Sequence, residues 1–173
     1  MLPILIVLGV IAGASVPWVI SFQRTLVVLD ENINNAMCQI GVQLSSRFDA
    51  LIALLDLAKE YAKCESETWI ETIQIRRNVI TAKSTPDAVL CQEKLISETL
   101  GRLALVSEQY PELKEDKNYK KTMGAVESYE NMVNTSRLIY NDSVTNLNRE
   151  IHIFPISMIA RMLGFSKRNY LEK

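Results

Sequence analysis

The sequence predicts an all-α protein in which an N-terminal transmembrane helix leads into an antiparallel up-and-down four-helix bundle with long helices. Three observations predict it. The first 23 residues carry no charged side chain, apolar residues recur every three or four positions through most of the remaining chain, and Gly and Pro number only 6 and 5 in 173 residues. All-β folds with many tight turns usually need more of both. The expected organisation is an anchor over 1–23, a helical bundle over 24–153, and a short amphipathic segment with a basic tail over 154–173.

The anchor stretch reads MLPILIVLGVIAGASVPWVISFQ, and Arg24 is the first charged side chain after it. At 1.5 Å per residue, about 20 such residues cross a hydrocarbon core of roughly 30 Å. Ala12-Gly13-Ala14 resembles a signal-peptide cleavage site, but a basic leading region is missing and the apolar run continues through Val16, Trp18, Val19, Ile20 and Phe22. An uncleaved anchor is therefore preferred to a cleaved signal. Trp18 and Phe22 fall where interfacial aromatics collect, and a membrane span tolerates a kink at Pro17 better than a soluble helix does. Gly9 and Gly13, four apart, offer a small-residue route to a homo-oligomer, although such spacing is common in apolar segments. With no Lys or Arg before the span and Arg24 after it, the expected topology has the N-terminus outside and the C-terminal domain cytoplasmic.

Beyond Arg24, Leu26, Leu29, Ile33, Met37, Ile40, Leu44, Phe48, Leu51, Leu55 and Ala58 form one amphipathic stripe, with no breaker between it and the anchor. A continuous rod from anchor to bundle is one consequence. A second helix is expected near Ser66 with Trp69, Ile73, Arg76 and Ile80 on one face. The third starts at Lys83-Ser84-Thr85-Pro86-Asp87, where a hydroxyl cap, a Pro in the first helical position and an acid in the first turn coincide. It is expected to stop at Pro111, followed by a charged turn over 112–117. A final long helix carries Tyr119, Met123, Val126, Val133, Ser136, Tyr140, Val144, Leu147 and Ile151, ending before Pro155. In the tail, Arg161, Lys167, Arg168 and Lys173 are basic enough to meet anionic headgroups, with a solvated polar end as the preferred reading.

Composition narrows the chemistry. Lys and Arg number 19 against 20 Asp and Glu, for a net charge of −1, which disfavours nucleic acid as a partner. Cys38, Cys64 and Cys91 are odd in number and lack C-x-x-C spacing, so all three read as reduced, buried small side chains. His152, the one imidazole, stands at the end of the last helix and reads as a surface or cap residue. Glu67 with Glu71, and Glu127 with Glu130, share helix faces, but the Glu-x-x-His repeats of a di-metal bundle are missing. No nucleophile elbow, phosphate loop, dinucleotide fingerprint or zinc-protease motif is present. No catalytic, metal or cofactor site is therefore expected, and the chain reads as a non-enzyme.

Three ordered blocks carry a resemblance. The first is Asn35-Ala36, Gln39-Ile40, Val42-Gln43-Leu44, Arg47, Asp49 and Tyr61-Ala62; the second is Leu100-Gly101-Arg102-Leu103, Val106, Glu108 and Tyr110-Pro111-Glu112-Leu113-Lys114, then Asn118. The third is Arg137, Tyr140-Asn141-Asp142, Val144, Asn148, Ile151, Phe154-Pro155 and Gly164-Phe165. In these the chain resembles the LemA family of bacterial membrane-anchored helical proteins. Met37 stands where the family usually has Trp, Ala50-Leu51-Ile52-Ala53 where it has Leu-Ile-Pro-Asn, and Cys64-Glu65 where it has His-Glu. The resemblance implies a single-pass membrane protein with a cytoplasmic four-helix bundle and no established enzymatic activity.

The polar residues of these blocks, Gln39, Gln43, Arg47, Asp49, Arg102, Glu108, Arg137, Tyr140 and Asn141, are the candidate site. Gln39 with Gln43, and Arg137 with Asn141, share helix faces. Asp49 and Arg102 have opposite charges on different helices and are expected to pair. Two roles remain open for the set: interhelical contacts that fix register, or a patch that binds a partner. The expected function is a non-enzymatic interaction module or scaffold at the bacterial membrane, touching the bilayer through residues 1–23 and an unknown protein partner through the bundle. The alternative is an accessory or regulatory subunit of a membrane protease or envelope enzyme.

Overall fold

The structure, a computed structural model, describes residues 2–61 and 66–172, and the side chains at 2–12, 14–16 and 66–68 lie outside the described ones. Among the described residues six helices follow one another: α1 (Leu2–Lys59), α2 (Ser66–Arg76), α3 (Pro86–Gln109), α4 (Pro111–Glu115), α5 (Lys117–Glu150) and α6 (Ile156–Met162). No strand occurs among the described residues.

The expected rod is present as one 58-residue helix, α1, which passes through Pro17. Most of the expected anchor, and Gly9 with it, falls on side chains outside the described ones. Among the described residues no helix is long and apolar enough to cross a membrane.

The chain divides into two compact units, Met1–Asn34 with Tyr140–Tyr170, and Asn35–Ile139 with Leu171–Lys173. In the second unit α1 buries Ala36, Met37, Ile40, Leu44, Phe48, Leu51, Leu54, Leu55 and Ala58, the spacing the stripe requires. Ile73 of α2, Val89, Ile96 and Leu103 of α3, and Val126 and Val133 of α5 complete its apolar interior. Each of these side chains larger than Ala contributes about 1.5–3 kcal/mol on leaving water. Ion pairs join Arg47 of α1 to Glu130 of α5 at 2.6 Å, and Arg137 of α5 to Glu93 of α3.

The start of α3 matches its local code: Thr85 is extended at the N-cap, its hydroxyl accepts from Ala88 N at 3.3 Å, and Pro86 occupies the first turn. Three other expectations are corrected. Ile80 does not continue α2, because residues 77–80 leave the helix and cross α1. There Arg77 donates to Asp49 at 2.7 Å and lies 5.6 Å from the Phe48 ring centre, and the Ile80 carbonyl sits directly over Gly41. Gln92, buried on α3, holds the departing chain by donating to the Arg76 carbonyl at 3.3 Å and accepting from Asn78 N at 2.9 Å.

The expected charged turn over 112–117 is largely the short helix α4, because Pro111 starts it, Glu112 favours its first turn, and Leu113 is fully buried beneath it. Asp116 then caps α5 by accepting from Tyr119 N at 2.8 Å. Cys38 and Cys91 are exposed free thiols rather than buried ones, because each points away from the apolar side of its helix. Cys64 lies outside the described residues.

The first unit is finished by the tail. α6 ends in paired bonds from Gly164 N to the Arg161 carbonyl and from Phe165 N to the Ala160 carbonyl, with Gly164 at φ +80°. This is a Schellman turn, in which the left-handed residue is normally Gly. Residues 166–170 of the tail are exposed, and they are also fastened as a strap. Asn148 of α5 both donates to the Arg168 carbonyl and accepts from its N–H, each at 2.9 Å, while the Arg168 guanidinium reaches Asp30 of α1 at 2.7 Å. His152 closes α5, its Nδ1 donating to the Asn148 carbonyl at 2.7 Å.

Candidate functional site

The candidate residues do not gather at one place. Gln39 and Glu108 are exposed, and Gln43 and Asn141 are half-buried. Arg47 and Arg137 are buried, each holding a glutamate on another helix, and each keeps its Nε atom buried without a hydrogen-bond acceptor. Tyr140 is buried and its hydroxyl donates to the Asn169 carbonyl at 3.0 Å. Burial holds its phenol above the ordinary value, and the nearby Arg168 charge offsets part of that rise.

Asp49 and Arg102 do not pair. Asp49 is taken by Arg77, which the crossing of residues 77–80 over α1 brings to it. Arg102 is exposed on α3, at the rim of a cleft of about 100 Å³ between α2 and α3.

At that cleft a member of the set meets an open concavity. Successive turns of α2 supply Trp69, Ile73 and Arg76, the part of the expected α2 stripe that is truly helical. The facing turns of α3 supply Leu95, Glu98, Thr99 and Arg102. Ile73, Leu95 and Thr99 are buried and make an apolar floor, the Thr99 hydroxyl being turned into its own helix on the Leu95 carbonyl at 2.8 Å. Among the described residues neither Arg76 nor Arg102 has an ion-pair partner, whereas Glu98 faces Lys94 at 3.9 Å. Two guanidiniums beside one carboxylate leave the rim with a positive balance.

An apolar floor, a tryptophan wall and a cationic rim suit a side chain or terminus that is apolar in its body and anionic at its tip. Among the described residues no group of three or more His, Cys, Asp or Glu side chains is placed to hold a metal ion.

The cleft residues other than Arg102 were not singled out by sequence reasoning as a site. The available signal was Trp69, a large aromatic on a helix of only 11 residues with few other apolar partners. The roles of Glu93 and Glu130 as partners of the buried arginines were also missed. Their signal was Arg47 and Arg137 standing on otherwise apolar stripes, where a buried charge requires a partner.

The model of the LemA family matches residues 36–173. The chain belongs to the LemA family. Protein LemA of Metamycoplasma hominis is 29% identical over 138 residues, 78% of this chain and 62% of that protein. Magnetosome proteins MamQ 1 and MamQ 2 of Paramagnetospirillum magneticum are each 31% identical over 86 residues, 50% of this chain and 32% of theirs. The chain thus spans about a third of the magnetosome relatives and under two thirds of the LemA relative. The LemA match takes in the cleft, both buried arginines, the Schellman turn and the strap, and it begins after residues 1–23.

Proposed function

We propose that this LemA-family protein is a non-enzymatic, single-pass membrane-anchored interaction module of the bacterial membrane, with the α2–α3 cleft as its partner site. The observation that carries the reading is the unbroken α1. A charge-free run of 23 residues continues without a linker into the helix that forms one wall of the second unit's core. A module built this way is joined to the bilayer by helix and not by a flexible tether. Two relatives named as magnetosome proteins accord with membrane association.

The partner is a protein presenting an acidic, partly apolar segment, chosen by the rim charge and floor of the cleft. The orientation has the C-terminal domain cytoplasmic, resting on Arg24 and the charge-free stretch before it. Crosslinking in native membranes from a photoreactive residue in place of Glu98, followed by mass spectrometry, tests the reading. One dominant adduct that is lost in Arg102→Met supports it, and diffuse labelling indifferent to Arg102 contradicts it.

A further inference from the structure

α6 and its flanking turns expose more apolar surface than a solvated chain end requires. Phe154, Met158 and Met162 are 75%, 62% and 86% exposed, with Ile153 and Leu163 close by and nearly half-exposed. Scattered exposed apolar residues are ordinary, but five within eleven positions form a patch. No Asp or Glu occurs between Ile151 and Leu171. Of the cations there, Arg168 is held by Asp30, while Arg161 and Lys167 have no ion-pair partner among the described residues.

The location is set by the Schellman turn. It places Phe165 on the wall of a hollow that Val27, Asp30, Glu31 and Asn34 of α1 also line. Phe165 is three positions beyond Met162, so the end of α6 lies within about 10 Å of Phe165. Val27 in turn lies about 6 Å along the helix from Gln23, the last residue of the charge-free run. Headgroup layers add roughly 5–8 Å on each side of the hydrocarbon core. α1 also keeps Val27 and Val28 about half-exposed past Arg24, so its apolar surface continues toward α6.

We propose that α6 is a membrane foot: it lies in the lipid interface where α1 leaves the bilayer. Phe154, Met158, Met162 and Leu163 enter the acyl boundary, and Arg161 and Lys167 meet anionic headgroups. A lipid surface is the occupant because the segment is cationic with no acid, and because it belongs to the same compact unit as the apolar stretch of α1. The inference rests on the reading of residues 1–23 as an anchor. It also turns the strap into a fastening that holds the foot at interfacial depth.

The test uses the full chain reconstituted into vesicles of phosphatidylcholine with a minority of phosphatidylglycerol. The native cysteines are replaced by Ser, and an environment-sensitive fluorophore is placed at Met162→Cys or, as a control, at Leu138→Cys in the other unit. The expected result is a blue-shifted probe at position 162 that is quenched by nitroxide lipids, with a water-like probe at 138. Arg161→Glu combined with Lys167→Glu is expected to weaken that quenching several-fold while flotation with the vesicles persists. A protein that floats but shows a water-like probe at 162 overturns the foot and leaves the anchor standing. Quenching unmoved by the double charge reversal overturns the headgroup contact. A protein that does not float overturns the anchor and the foot together.

Discussion

Arg47 donates to Glu130 at 2.6 Å from a side chain only 5% exposed, whereas the glutamate is 45% exposed. The second interhelical pair, Arg137 with Glu93, has both partners largely out of water, at 9% and 16%. Removing one partner of a buried pair leaves an uncompensated charge, and the penalty grows as water is excluded.

The two acids therefore differ in weight. Glu93→Gln is expected to cost about 3–5 kcal/mol of stability, and Glu130→Gln about 1–2 kcal/mol because solvent relieves the stranded guanidinium. Chemical denaturation of the two variants in the same detergent checks the order, and equal losses would show that burial does not set the difference.

Glycines in three helices make a second contrast. A Cβ at Gly41 would collide with the Ile80 carbonyl, whereas Gly101 and Gly124 have nothing within 4 Å of theirs. Gly41→Ala is expected to destabilise by about 1–3 kcal/mol, since the obstacle is backbone. Gly101→Ala and Gly124→Ala are expected to stabilise by about 0.5–1 kcal/mol through helix propensity. Thermal midpoints of the three variants decide the matter, and a neutral Gly41→Ala would mean that residues 77–80 are not seated on α1.

The strap yields a third prediction. Asn148→Ala removes both bonds to the Arg168 backbone. It is expected to cost about 1–3 kcal/mol and to speed trypsin cleavage after Lys167 and Arg168. An unchanged cleavage rate would mean the strap is held elsewhere.

Alkaline pH probes the same fastening. Because burial raises the folded Tyr140 phenol above its ordinary 10.0, the unfolded chain loses this proton first. The stability this tyrosine contributes is complete below that value and is lost as pH rises through the folded one. Tyr140→Phe forfeits the bond to Asn169, about 0.5–1.5 kcal/mol near neutrality, and is expected to lose less stability than the native chain when pH is raised above 10.0. Denaturation midpoints on both sides of that pH check the sign, and parallel losses in the two proteins would contradict it.

Helix positions were legible where local chemistry decides them. The Thr85-Pro86-Asp87 start of α3, the continuity of α1 through Arg24, and the stripe of α5 all follow from capping, propensity and spacing. What stayed hidden depends on which helices become neighbours. Ile80 kept helical spacing yet left α2 because Gly41 opened a seat for its backbone. Asp49 faced a choice between Arg77 and Arg102 that only the crossing of residues 77–80 resolves. Arg168 read as a free cation because its partner, Asp30, lies far away in the chain. Leu113 was obscured by the charged residues around it, although one leucine sufficed to seat α4.

The central claim is that Arg102 serves a partner rather than the fold, and it is tested most directly by crosslinking from position 98 in membranes, with and without Arg102→Met. The account predicts that the variant reaches the membrane and unfolds with native cooperativity while its dominant crosslinked partner disappears. A variant that keeps the adduct, or that loses cooperative unfolding instead, would contradict it.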